Sequence, residues 1–97
     1  MINTGIIGYG YWGPNLVRNF SNVKNCKVAM VADLDANRLS QLKNQYPDII
    51  TTTSTQELID NTQIDSVVIA TPVFLHYELA KKALEAGKHV LIEKPMT

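Results

Sequence analysis

Thr4-Gly5-Ile6-Ile7-Gly8-Tyr9-Gly10-Tyr11-Trp12-Gly13-Pro14 joins a short apolar run to three glycines spaced G-x-G-x-x-G, with a proline directly behind them. The apolar run predicts a strand that stops at Gly8. Proline suits the first helical position, and Leu16, Val17 and Phe20 fall on one face, so a helix is predicted over 14–20. A strand, a glycine turn and a helix in that order form the first half of a βαβ unit.

The remainder of the chain repeats this alternation. Val28 to Ala32 is a continuous apolar run ending at Asp33, the pattern of a strand buried on both faces. Leu39, Leu42 and Tyr46 then mark a second amphipathic helix over 35–46, closed by Pro47. Ile49 to Thr52 predicts a short edge strand. Ser54 followed by Glu57 predicts a capping box in front of a brief helix carrying Leu58 and Ile59. Val67 to Ala70 is a second fully apolar strand, stopped by Thr71-Pro72. Leu75, Leu79, Ala80, Ala83 and Leu84 lie on one broad helical face, and Gly87 supplies a left-handed cap. His89 to Ile92 is a last strand, running into Glu93-Lys94-Pro95. Strands separated by helices pair in parallel through crossovers. The fold class is therefore α/β, a doubly wound parallel sheet of about five strands in the order 3-2-1-4-5. Its ligand crevice is expected between the first and fourth strands, at their carboxyl ends.

Composition narrows the function. The 97 residues have room for a single domain, 45% are hydrophobic and 19% charged, and nine basic residues balance nine acidic ones. That balance offers no cationic surface for nucleic acid or anionic lipid. No apolar run approaches the roughly 20 residues of a membrane span, and no basic leader precedes an apolar run at the N-terminus. Cys26, His76 and His89 are too few to suggest a metal site, and one cysteine cannot form an internal disulfide. A small-molecule ligand and a cytoplasmic home are the expectation.

The glycine motif gains its meaning from context. It follows a strand, opens a helix, and has an acid, Asp33, at the end of the next strand, twenty residues beyond Gly13. In a dinucleotide site Gly8 turns the chain, Gly10 lets a pyrophosphate approach the backbone, and Gly13 lets helix and strand pack closely. Backbone amides at Tyr11 and Trp12 and the helix N-terminus would face the phosphates. Asp33 would accept hydrogen bonds from the adenosine ribose hydroxyls. A 2′-phosphate within about 4 Å would meet roughly 4 kcal/mol of repulsion per charge pair at an effective dielectric near 20, so NAD is expected over NADP. The alternatives are that Asp33 only caps the following helix, a task Asp35 could equally fill, and that Arg38, one turn into that helix, reaches a phosphate. Thr71, Pro72 and His76 lie beyond the fourth strand and Glu93 and Lys94 beyond the fifth, all on the ligand side. A partly desolvated Lys94 beside a nicotinamide could share a proton with a substrate hydroxyl.

The glycine loop, Asp33, Ala70-Thr71-Pro72 with His76 beyond it, and above all Glu85-Ala86-Gly87-Lys88-His89-Val90-Leu91-Ile92-Glu93-Lys94-Pro95 resemble the glucose-fructose oxidoreductase, inositol dehydrogenase and rhizopine-catabolism (Gfo/Idh/MocA) family over essentially the whole chain. The resemblance implies an NAD(P)-dependent dehydrogenase acting on a sugar, nucleotide sugar or cyclitol. Lys94, in the family's E-K-P, would be the catalytic acid–base or substrate-orienting residue. Gly10-Tyr11-Trp12-Gly13-Pro14-Asn15 is most similar to members that oxidise nucleotide sugars. Family members continue into a second α/β domain that supplies most substrate contacts and usually the oligomer interface, so residues 1–97 are expected to form an incomplete dinucleotide-binding domain, inactive alone and homo-oligomeric when full length. The competing expectation is a stand-alone nucleotide-binding or sensing module without catalysis.

Overall fold

A computed structural model of the chain describes residues 2–8, 13–70 and 73–92. The β-branched runs form β1 (Ile2–Ile7), β2 (Cys26–Ala32), β3 (Ile50–Thr52), β4 (Ser66–Ile69) and β5 (His89–Ile92). Between them stand α1 (Gly13–Ser21), α2 (Ala36–Gln45), α3 (Thr55–Asp60) and α4 (Val73–Glu85). The sheet order is β3-β2-β1-β4-β5 and every pairing is parallel, as the alternation of patterns requires. No helix among the described residues is long and apolar enough to cross a membrane.

Successive side chains along each strand divide between two cores. On one face Ile6, Val28, Val31 and Val68 pack against Val17 of α1 and Leu39 and Leu42 of α2. On the other, Ile7, Met30, Ala32, Val67 and Ile69 pack against Leu58 and Ile59 of α3 and Leu79 and Ala83 of α4. Val28 and Val31 share a face although they are three residues apart. The register of β1 on β2 slips between Thr4 and Gly5, so that Ala29 is the extra residue of a bulge and the inward–outward parity of β2 reverses.

Gly5 sits at this bulge for a steric reason. A Cβ there would lie 2.7 Å from Cδ2 and 3.0 Å from Cγ of Leu58, whose side chain is fully buried and has little room to turn. Gly5→Ala is expected to cost about 1–3 kcal/mol by overpacking. Thermal melting should show it as a fall of roughly 5–15 °C for a domain of this size. The double variant with Leu58→Ala should lose less than the sum of the two single losses, and strict additivity of the two substitutions would exclude the clash as the cause.

The helix ends depart from expectation in two places. Ser54 does cap α3, its Oγ accepting the Glu57 N–H at 3.2 Å. The reciprocal half of the capping box is absent, because Glu57 instead accepts the Thr52 hydroxyl at 3.0 Å while the Thr52 oxygen takes the Ser54 N–H at 3.1 Å. Leu84, expected on the buried face of α4, is 62% exposed. Among the described side chains of α4, Leu79, Ala80 and Ala83 pack on the sheet, and Leu84 falls about 100° around the helix from Ala83. α4 ends as Gly87 predicts. Its φ is +81°, Gly87 N–H bonds Leu84 O at 3.0 Å and Lys88 N–H bonds Ala83 O at 3.0 Å, a Schellman closure.

Candidate functional site

The carboxyl ends of the three inner strands finish level, because Ile7 pairs with both Ala32 and Ile69. Three backbone bonds then carry that alignment past the strand ends. Gly8 N–H bonds Ala32 O at 2.7 Å, Ala70 N–H bonds Ile7 O at 2.9 Å, and Asp33 N–H bonds Thr52 O at 3.1 Å. Gly8, Asp33 and Ala70 are thereby held at one end of the sheet. The strand order reverses between β1 and β4, which is the crevice position predicted from the alternation.

Gly8 leaves β1 with φ +93°, a left-handed turn that glycine adopts without a Cβ penalty. α1 opens at Gly13, as the motif spacing predicts. Asp33 is buried, 8% exposed, directly beyond β2. Its Oδ1 accepts the Asp35 N–H at 2.8 Å, and its Oδ2 lies 3.9 Å from Nη1 of Arg38. Asp35, not Asp33, is the N-cap of α2, its Oδ1 accepting the Asn37 N–H at 2.9 Å. The capping task that sequence reasoning left open between the two acids therefore belongs to Asp35. A second ion pair joins Asp35 Oδ2 to Arg38 Nε at 3.7 Å.

Gly8, Asp33 and Arg38 are thus brought to the same end of the sheet. Gly10, Tyr11, Trp12, Thr71, Pro72, Glu93 and Lys94 lie outside the described residues, as does the side chain of His76. Three features at or near these motifs escaped sequence reasoning. Asp35 is a second carboxylate on Arg38, Leu34 between the two acids is 83% exposed, and Lys88 is buried. The first carried a signal in its i, i+3 spacing to Arg38. The other two carried none, since a leucine beside an apolar run predicts burial and a lysine predicts exposure. A cleft of about 630 Å³ between α2 and α3, lined by Ser40, Lys43, Thr52 and Glu57 among others, does not include Asp33 or Gly8. The chemistry of the sheet end, not cavity size, singles out the site.

Residues 2–97 match the family model GFO_IDH_MocA, described as an oxidoreductase family with an NAD-binding Rossmann fold. The chain belongs to the Gfo/Idh/MocA oxidoreductase family. Among curated members it is 38% identical over 96 residues to inositol 2-dehydrogenase 2 of Paenarthrobacter aurescens, covering 98% of this chain and 28% of the relative. It is 32% identical to the scyllo-inositol 2-dehydrogenase (NADP(+)) IolW of Bacillus subtilis, covering 99% and 26%. Among solved structures, scyllo-inositol dehydrogenase from Lactobacillus casei with bound NAD(H) and scyllo-inositol superposes with a TM-score of 0.90 at 27% identity, over 98% of this chain and 28% of the other. The chain spans a little over a quarter of the length of these Gfo/Idh/MocA relatives. These relatives divide on the cofactor, one with NAD(H) and one with NADP(+), so family membership establishes an NAD-binding Rossmann fold without choosing between the two.

Proposed function

We infer that residues 1–97 are the dinucleotide-binding part of an NAD-dependent dehydrogenase that acts on a hydroxyl-bearing carbon of a sugar or cyclitol. The observation that carries this is the buried Asp33 carboxylate beyond β2, level with the left-handed turn at Gly8. A carboxylate is an acceptor only, and so suits a ribose diol and repels a 2′-phosphate. The residues present fit the dinucleotide: an acceptor for the ribose, a glycine turn that keeps side chains off the pyrophosphate path, and the N-terminus of α1 for its charge.

On this reading Asp33 holds the adenosine ribose and the Gly8–Gly13 loop the pyrophosphate. Thr71, Pro72, His76 and Glu93 border the nicotinamide end, and Lys94 orients the substrate and handles its hydroxyl proton. The nicotinamide supplies the hydride chemistry, and the chain's task is to position and polarise. The inositol dehydrogenases among the relatives support a cyclitol or sugar substrate, and the Gly10–Asn15 loop supports a nucleotide sugar within that class. Substrate contacts and a homo-oligomer interface belong to segments that the longer relatives possess. A cytoplasmic site of action agrees with the single free thiol of Cys26. Titrating the protein with NADH and NADPH, followed by cofactor fluorescence, tests the reading. Saturable NADH binding with clearly weaker NADPH binding is expected, and binding of neither would overturn it.

A further inference from the structure

Two carboxylates, not one, face the guanidinium of Arg38. Asp33 Oδ2 is 3.9 Å from Nη1 and Asp35 Oδ2 is 3.7 Å from Nε. The two acids are linked through the backbone, since Asp33 Oδ1 accepts the Asp35 N–H. Their settings differ: the Asp33 side chain is 7% exposed, whereas those of Asp35 and Arg38 are 46% and 51% exposed. One oxygen of Asp35 is committed to capping α2 and the other reaches Arg38, so a single side chain both starts the helix and neutralises the cation one turn into it.

We propose that Asp35 is a cofactor-specificity residue acting through Arg38: its carboxylate holds the guanidinium beside the start of α2 and denies that cation to a 2′-phosphate. This rests on the reading that NAD(H) lies with its adenosine ribose at Asp33. Arginine is the side chain whose forked donors best match a phosphate, and here it stands next to the residue that meets the ribose. Left with Asp33 alone, it would be the natural counter-ion for NADP(H). Asp35 prevents this by occupying Nε and neutralising the guanidinium. Both ion pairs are long and the guanidinium itself is half exposed, so it is restrained and not locked. Removing one carboxylate charge is enough to release it. Asp35 is in this sense a positioning residue, and it touches the cofactor only through Arg38.

Asp35→Asn and Asp35→Ser separate this role from capping, because both replacements keep a side-chain oxygen that caps a helix about as well as aspartate. In parallel titrations, each variant should bind NADPH about two- to fivefold more tightly than the parent, the size of one exposed ion pair, with NADH affinity nearly unchanged. Adding Arg38→Ala to Asp35→Asn should abolish the gain. Raising the salt concentration should narrow the difference between variant and parent, since exposed charges are screened. Equal changes in both affinities would reduce Asp35 to a helix cap and overturn the proposal. So would an unchanged NADPH-to-NADH ratio in variants that bind NADH normally, or a gain that survives Arg38→Ala. A parent protein that binds NADH no better than NADPH would instead overturn the reading of Asp33 on which the proposal rests.

Discussion

Asp33→Asn is expected to weaken NADH binding about tenfold and Asp33→Ala about 30- to 100-fold, while NADPH affinity falls far less or rises, so that the preference between the cofactors collapses. The size follows from what the carboxylate does. Two ribose hydroxyls donating to the acceptor contribute about 1–1.4 kcal/mol each, net of the bonds they would make to water, and so about 2–2.8 kcal/mol together. Burial of Asp33 reduces the competition from water for those bonds. For NADPH the sign reverses, because the same charge sits against a phosphate. Asparagine keeps an oxygen for the Asp35 N–H, which Asp33 Oδ1 accepts at 2.8 Å, so the turn into α2 survives in that variant. The measurement is the ratio of the two dissociation constants. A ratio that does not move in either variant would mean that Asp33 serves only to shape the turn.

Lys88→Met should lower the stability of the chain by about 2–4 kcal/mol, because it strips the partner from two carbonyl groups at once. Lys88 is 9% exposed and its Nζ donates to Asn61 O and Ile64 O, each at 2.6 Å. Asn61 caps the end of α3 and Ile64 leads into β4, so the ammonium clips the α3–β4 connection to the start of β5. The side chain is well placed to do so, since the Schellman closure at Gly87 directs the chain back over that loop. Methionine keeps much of the volume and removes the three donors, which isolates the polar contribution from cavity formation. Thermal melting should show a fall of roughly 10–20 °C. A change of under about 3 °C would show that water replaces the ammonium at no cost. The ratio of NADH to NADPH affinity should stay as in the parent, because Lys88 lies at the amino end of β5 and the candidate site at the carboxyl ends of the strands.

The Glu85–Pro95 segment carries the family resemblance, and its residues divide between two kinds of task. Gly87 and Lys88 act on the fold, one through a positive φ and the other through buried hydrogen bonds. Glu93 and Lys94 are the proposed functional pair. Local spacing alone could not separate these, because a lysine that clips a loop and a lysine that handles a proton look the same in sequence.

Much of the architecture was legible in the residues alone. The strand runs at Val28–Ala32 and Val67–Ala70 lack polar alternation, and that absence is itself the mark of strands covered on both faces. With helices between them, parallel pairing follows from chain connectivity, and the glycine turn after the first strand with Asp33 after the second points to the dinucleotide-fold order, which is the one observed, β3-β2-β1-β4-β5. The level strand ends and the place of Asp33 come with that order. What sequence could not show depends on residues that meet only after folding. Gly5 is needed because Leu58 packs over it, and Lys88 is buried because Asn61 and Ile64 curve around it. Glu57 bonds Thr52 and not its own helix cap, and Leu84 faces solvent because the sheet contacts a narrower stripe of α4 than hydrophobicity suggests. Periodicity records which way a side chain points along its own element. It holds no information on which distant atom stands opposite, and steric fit and hydrogen-bond satisfaction are decided there.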